Sequence, residues 1–358
     1  MTLYNQKRLN IFSDLSLLNH GEEHVAMLLP FLKKEINTSM KAMWDQYQYN
    51  IYTNTGENFF NLCSIEESDI AVFPIPWEYV VINKSKFESF EIFYDNVQDY
   101  GIPIIIFFLS DSDQPITIKN TIIFRTSLNR STRKNNEYAF PAWGDDIIGK
   151  YFSGNQQLRM KEKQATLGFT GYAPEHSYIR DIYNWTESFF RFKNPNKGSF
   201  SNVRSEALKV FLKSDLIKKN FVIRKVFWST QKNSLTMQKQ KEEFVADLIN
   251  SDYILCSRGG GNFSFRFYET LSCGRIPFFI DTDCVLPYDF EINYKNYCVW
   301  VDQHDLSQAD KILYNFHENI SEEDFFLRQC NCRRLWQDYL SPEGFFANFH
   351  KHFKFNSR

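Results

Sequence analysis

The segment Asp252–Asp283, DYILCSRGGGNFSFRFYETLSCGRIPFFIDTD, does most to limit what this chain can fold into. Ile254 to Cys256 is a short apolar run that ends in a loop, Arg258-Gly259-Gly260-Gly261-Asn262, and Ile276 to Ile280 is a second such run. Runs of this length without in-and-out alternation suit strands buried on both faces of a parallel sheet. Between them Ser264 stands where a helix N-cap would be, Phe267, Tyr268, Leu271 and Ser272 follow at helical spacing, and Gly274 sits at a stopping position. The segment therefore reads as strand, glycine loop, helix, strand.

Three successive glycines permit backbone angles and a closeness of approach that a Cβ would block. The helix start behind them presents unpaired N–H groups and about half a positive charge, which suits a phosphate or diphosphate. Arg258 and Arg266 add forked donors, and Glu269, one turn on, offers a carboxylate to a ribose diol. Gly259, Gly260, Gly261, Asn262 and Ser264 complete a donor-site set that matches a sugar nucleotide. The spacing is neither GxGxxG with a later acid nor GxxxxGK[ST]. The plainer reading is a tight strand-to-helix turn with solvated arginines.

Leu255, Cys256, Gly259, Ser264, Arg266, Glu269, Gly274, Ile276 and Pro277 fall in register with a known pattern. The pattern is a strand ending in Leu-Cys, a Gly loop, Ser-x-Arg-x-x-Glu, then Gly-x-(Ile/Val)-Pro and a strand. In this the chain resembles the exostosin-like glycosyltransferases of carbohydrate-active family 47. The resemblance implies an α/β fold of GT-B type: two Rossmann-like domains with parallel sheets facing a cleft, the C-terminal one holding the nucleotide-sugar, and inversion at the anomeric carbon. It is strong over residues 250–285, weaker over 165–250 and faint before that.

The 358 residues suit two domains. We expect an acceptor-side domain over residues 1–155, a donor domain over 156–335, and a tail over 336–358 that packs back on the first. Forty-one Lys and Arg against 43 Asp and Glu leave a net charge of -2, which gives no electrostatic case for nucleic acid. Seven cysteines, an odd number scattered among apolar runs, read as reduced thiols. With no signal-peptide core and no apolar run near the ~18 residues needed to span a bilayer, the expectation is a cytoplasmic protein, at most peripheral at the inner membrane face. The animal family members carry an N-terminal anchor, so the resemblance points to a bacterial-type version.

Along the first half, residues 7–15 read as a strand, 22–36 as a helix, 69–75 as a strand, 85–100 as an amphipathic helix, and 102–109 and 122–125 as strands. The alternation argues for a parallel sheet. His20, Glu22, Glu23 and His24 would lie at the carboxyl end of the first strand, where α/β sheets bind ligands. An inverting transferase needs a group to take the acceptor proton. Glu22 is one candidate and Asp145 another, with Trp143 beside it to stack on a sugar; the plainer readings are a charged helix start and a hinge loop. Asp111 and Asp113 read as turn formers.

In the second half, residues 166–171 form a strand ending in glycine. Family relatives follow this with an (Ile/Val)-Arg pair opening a helix, which Val203-Arg204 fits and Ile179-Arg180 rivals. By the resemblance, Arg204 faces the donor diphosphate; a solvated helix-start arginine is the alternative. Residues 221–228 read as a strand, 239–250 as a helix, 297–301 as a strand and 321–340 as a charged helix. Asp281-Thr282-Asp283 has the form of a metal-binding DxD in the wrong fold context, so no metal is assigned.

The expected activity is transfer of a sugar from a nucleotide-sugar, UDP-linked in the first instance, to a glycan or lipid-linked glycan acceptor at the cell surface, with no obligatory cofactor. A GDP-sugar enzyme of fucosyltransferase type is one alternative, because that group shares the helix glutamate and the Gly-x-(Val/Ile)-Pro strand. A non-catalytic partner subunit of another transferase is the other.

Overall fold

The computed structural model describes residues 8–18, 23–32, 46–173, 200–224 and 234–353. They form two units: residues 1–145, 285–290 and 336–358 make the first, and 146–284 with 291–335 the second.

In the first unit six strands, β1 (Leu9–Phe12), β2 (Phe60–Leu62), β3 (Ile70–Val72), β4 (Ile104–Phe108), β5 (Thr121–Arg125) and β6 (Glu137–Ala139), lie in the order β2-β1-β3-β4-β5-β6. Every pairing is parallel. All five residues of β4 are buried, as a strand covered on both faces requires. Helix Lys84–Gln98 begins where Asn83 Oδ1 accepts from Lys86 N at 3.2 Å, and it buries Phe90, Phe93 and Val97. At the far end of the sheet Arg125 pairs with Glu137 at 2.8 Å, both buried, and donates to the carbonyls of Ser112 and Gln114.

The helix expected over residues 22–36 does not form as such. Ala26–Phe31 is a 3₁₀ helix containing Pro30, and Ala26, Met27, Leu28 and Leu29 are all buried. Four consecutive buried residues are not a one-sided stripe, and Pro30 has no N–H to continue the ladder. Helix Gln46–Thr55 and the short strand β2 had no counterpart in the sequence reading.

The last part of the chain belongs to this first unit. Phe345 and Phe346 of helix Pro342–Ala347, with Phe349, pack on the rings of Phe140, Tyr52 and Phe124, with centroids 5.0, 4.5 and 4.7 Å apart respectively. Trp143 joins this core: it is 3% exposed, its Nε1 donates to Leu340 O at 2.7 Å, and it meets Phe140 at 4.6 Å. A sugar-stacking role for Trp143 is thereby overturned, because a buried indole stacked on protein rings has no face to offer.

The second unit carries β7 (Thr166–Tyr172), β8 (Lys218–Arg224), β9 (Tyr253–Cys256), β10 (Ile276–Asp281) and β11 (Val299–Asp302), in the order β11-β10-β9-β7-β8 and again all parallel. Leu167, Phe169, Leu255, Ile276, Phe278 and Ile280 form its core with Val203, Ala207, Leu208 and Phe211 of helix Phe200–Lys213. Helix Ser234–Asn250 lies so close to β7 that a Cβ on Gly168 would collide with Asp247 Oδ1 and Ser251 Oγ. Glycine at this position thus serves packing.

Two arginines fasten the signature segment. Arg275 is fully buried and donates to Leu248 O, Ile249 O and Gln157 O at 3.0, 2.9 and 2.5 Å, and to Gln329 Oε1 at 3.3 Å. It satisfies carbonyls at the end of helix Ser234–Asn250 that have no intrahelical partner. Arg333 clasps Asp146 through two bonds of 2.6 and 3.1 Å and donates to Ser272 O at 2.7 Å.

Candidate functional site

The chain passes from β7 to β8 on one side and then returns to lay β9 on the other side of β7. The order of the second sheet therefore reverses between β7 and β9, and in α/β sheets the crevice outside the carboxyl ends at such a reversal binds ligands. The loop Ser257–Phe263 leaves β9 there and leads into helix Phe265–Ser272.

That helix ends as expected. Gly274 takes φ +64°, Arg275 N donates to Thr270 O and Gly274 N to Leu271 O, which is the paired bonding of a Schellman cap. Ser264 stands at the N-cap in extended conformation, and its hydroxyl does not cap the helix. Gly259, Gly260 and Gly261 all lie outside the left-handed region, so special backbone angles are not what their residue type supplies. A Cβ on Gly259 would meet nothing within 4 Å, so the loop borders open space there. Asn262 is 1% exposed and exchanges two hydrogen bonds with Thr282, at 2.8 and 2.7 Å. Its side chain anchors the loop to the end of β10.

Arg204 spans the reversal. Its Nε donates to Ser257 Oγ, Nη1 to Tyr172 O at the end of β7, and Nη2 to Arg258 O beyond β9, each at 3.0 Å. Burial and the neighbouring Arg266 charge pull its guanidinium down to about 10, so it stays charged at neutral pH. Arg266 lies between the rings of Phe169 and Phe244, 5.1 and 5.0 Å from their centroids. Its Nε and Nη1 are buried without a hydrogen-bond partner among the described residues, and its Nη2 is 3.4 Å from where a Gly171 Cβ would stand. Arg258 Nη2 reaches Gly260 O at 3.5 Å.

Asp247 lies close to Arg266. Burial raises its carboxyl to about 6, outweighing the opposing pull of Arg266 and hydrogen bonds from Thr170 and Ser251. Burial likewise pushes the Cys256 thiol up to about 12; Thr270 and Arg266 oppose the shift, and the nearby charges of Glu269 and Asp247 add to it. Arg204, Arg258, Arg266 and Glu269 thus gather at one end of one sheet. Asp281, of the DTD sequence, accepts from Cys284 N at 3.1 Å, and Asp283 takes φ +67°, the geometry of a turn.

The candidates from the first half are not all in view. Glu22 and His20 lie outside the described residues, as do Ile179 and Arg180. Asp145 is half-buried, next to Asp146, whose Oδ1 caps helix Ile147–Tyr151 through Gly149 N. Asp113 accepts from Asn129 Nδ2 at 3.4 Å. Asp247, Phe169 and Phe244 went unread in the sequence. The one signal for Asp247 was an acid inside the apolar run Val245–Ile249.

A family model of the Exostosin GT47 domain matches residues 186–316, which include the glycine loop and its helix. Exostosin-1 of Drosophila melanogaster is 36% identical over 93 residues, 26% of this chain and 12% of that protein. The chain thus spans about an eighth of the length of the curated relative it matches. Among solved structures, TarM gives a TM-score of 0.38 at 11% identity, covering 80% of this chain and 55% of its own. Sucrose-phosphate synthase from Thermosynechococcus elongatus gives 0.37 at 9%, covering 96% and 98%. Among the described residues no helix is long and apolar enough to cross a membrane.

Proposed function

We propose that the protein is an inverting glycosyltransferase that moves a sugar from a nucleotide-sugar, a UDP-sugar foremost, to a hydroxyl of a growing surface glycan. The observation that carries this reading is the convergence of two guanidinium groups, Arg204 and Arg266, at the reversal of the second sheet. Two like charges held together in a largely buried place repel, and a diphosphate arriving there relieves the repulsion while engaging both. Arg258 and the start of helix Phe265–Ser272 add to the positive field, and Glu269 suits the ribose hydroxyls.

In the reaction the acceptor oxygen attacks the anomeric carbon and the bond from that carbon to the diphosphate oxygen breaks. The electron pair leaves on the diphosphate, where the arginines and the helix start stabilise the developing charge. The hydroxyl proton passes to a carboxylate, for which the sequence offers Glu22 and Asp145. No metal is an obligatory participant in this scheme.

The test is thermal stability against UDP, GDP, CMP and dTDP, in EDTA and in Mg²⁺, for wild type and Glu269→Ala. At about 100 Kd the right nucleotide adds about 2.7 kcal/mol to folding. The expected result is a UDP-selective rise that persists in EDTA and is lost in Glu269→Ala. A GDP-selective rise transfers the donor assignment to GDP-sugars, and a melt that no nucleotide moves removes the donor site.

A further inference from the structure

Helix Phe265–Ser272 leaves only a narrow stripe uncovered. Five of its eight residues, Phe267, Tyr268, Thr270, Leu271 and Ser272, are buried, and the three that are not are Phe265, Arg266 and Glu269. Residues three and four apart share a helix face, so these three form one row, with Glu269 at one end and Phe265 at the other. Helical side chains lean toward the N-terminus of their helix, which carries the Phe265 ring past the first turn, on the side where the glycine loop arrives.

The Phe265 ring is 44% exposed. A single exposed phenyl needs no explanation, but this one is held in place. Its partner is the half-buried Phe263: the ring centroids are 5.5 Å apart and the planes meet at 72°, an edge-to-face pair. The Phe263 carbonyl accepts from Gly259 N at 3.1 Å, which closes the loop, and Asn262 between them is fixed to Thr282. At Gly259 the same loop borders open space. An apolar ring thus stands oriented in water beside a tied loop, at the end of a row that also carries a guanidinium and a carboxylate.

That row has the order of a ligand. A nucleotide-sugar is a chain of base, ribose, diphosphate and sugar. With the ribose hydroxyls at Glu269 and the diphosphate at Arg266 and the helix start, the part that comes next, at the Phe265 end, is the sugar. A pyranose has C–H bonds on its faces and hydroxyls around its rim, so a phenyl face covers the first and leaves the second to polar partners.

We propose that Phe265, held by Phe263, is the platform for the donor's pyranosyl group, and so a residue that decides how well the sugar part of the donor is held. The inference rests on the donor reading and deepens it. Every residue it uses lies in the second unit.

The experiment compares, by titration calorimetry on the full chain, UDP with its esters of glucose, galactose, N-acetylglucosamine and glucuronic acid, taking the ester that wild type binds most tightly. Where GDP is the nucleotide that raises the melt, GDP with its mannose and fucose esters takes their place. Phe265→Ala removes the ring at an exposed position, where substitutions disturb folding little. It should leave the Kd for the bare nucleotide within about twofold of wild type and raise the Kd for the nucleotide-sugar about 3- to 10-fold, the worth of one aromatic contact. Phe265→Tyr keeps the ring and should match wild type for both ligands. The split between the two ligands is what a merely structural role would not produce. If Phe265→Ala weakens both ligands equally, the ring serves the nucleotide or the helix start, and the inference falls. It falls too if neither Kd moves, or if Phe265→Tyr loses as much as Phe265→Ala; in these cases the donor reading stands, because wild type still binds. A wild type that binds no nucleotide overturns the donor reading, and this inference with it.

Discussion

Arg275→Met should destabilise the second unit sharply, although Arg275 touches no proposed ligand. Its guanidinium is the hydrogen-bond partner of three buried or half-buried carbonyls, those of Leu248, Ile249 and Gln157, and of the Gln329 amide oxygen. Methionine matches the volume and cannot donate. Each buried carbonyl left without a donor costs about 1–3 kcal/mol. Against this, the variant no longer buries a cation, a burial strong enough to pull the Arg275 guanidinium down to about 10. The orphaned carbonyls outnumber the relieved charge, and the net loss should be about 3–5 kcal/mol. For a unit of this size that corresponds to a fall of roughly 6–20 °C in Tm. Thermal and urea unfolding monitored in the second unit read it directly, and amide exchange in the last turn of helix Ser234–Asn250 should quicken. A Tm within about 2 °C of wild type would show that the carbonyls find other partners and that the arginine does not fasten this helix end.

Gly274→Ala tests the other side of the same junction. The residue sits at φ +64°, a new Cβ would collide with Gln156 Nε2, and it would stand 3.0 Å from Gln329 O. The left-handed conformation alone costs about 1–2 kcal/mol, so urea unfolding should show at least that, and an unchanged midpoint refutes the cap. Asp247 predicts a pH dependence. Its folded value of about 6 lies above the 3.8 of an unperturbed aspartate, so the folded state binds the proton more tightly and stability from this group grows as pH falls from about 6 to about 4. Two pH units correspond to roughly 3 kcal/mol. Asp247→Asn should flatten that slope and be the more stable protein at pH 7; an unchanged slope in the variant sinks the assignment.

What could be read from sequence was what neighbouring residues decide among themselves. Strands β9 and β10, the helix between them and the stop at Gly274 followed from run length, spacing and cap chemistry, all local. Arg204 was placed on its helix by a resemblance, and the structure brings it to the glycine loop. The functions that escaped depend on partners distant in sequence. Arg275 reads as a polar interruption before Ile276 until Gln157 and Gln329 fold around it. Glu78 reads as an acid in the loop after the strand over 69–75 until the fold brings Leu109 N to it. Trp143 left sugar stacking open beside its plainer reading because its ring is covered by Phe345 and Phe346, residues from the far end of the chain. The glycine loop was read correctly as a loop but for an incomplete reason, since its glycines adopt ordinary backbone angles.

The placement of residues 342–353 on the first sheet bears on how the protein is made. Strands β1 to β6 leave the ribosome early, yet Phe345, Phe346 and Phe349, which pack on Phe60, Phe124 and Phe140, are synthesised roughly 200 residues later. At about 5–20 residues per second that interval lasts on the order of 10–40 s. The second unit has all its strands out before the interval ends. The half of the protein that is translated first is therefore finished last, and its aromatic sheet face spends that time as a natural client for chaperones.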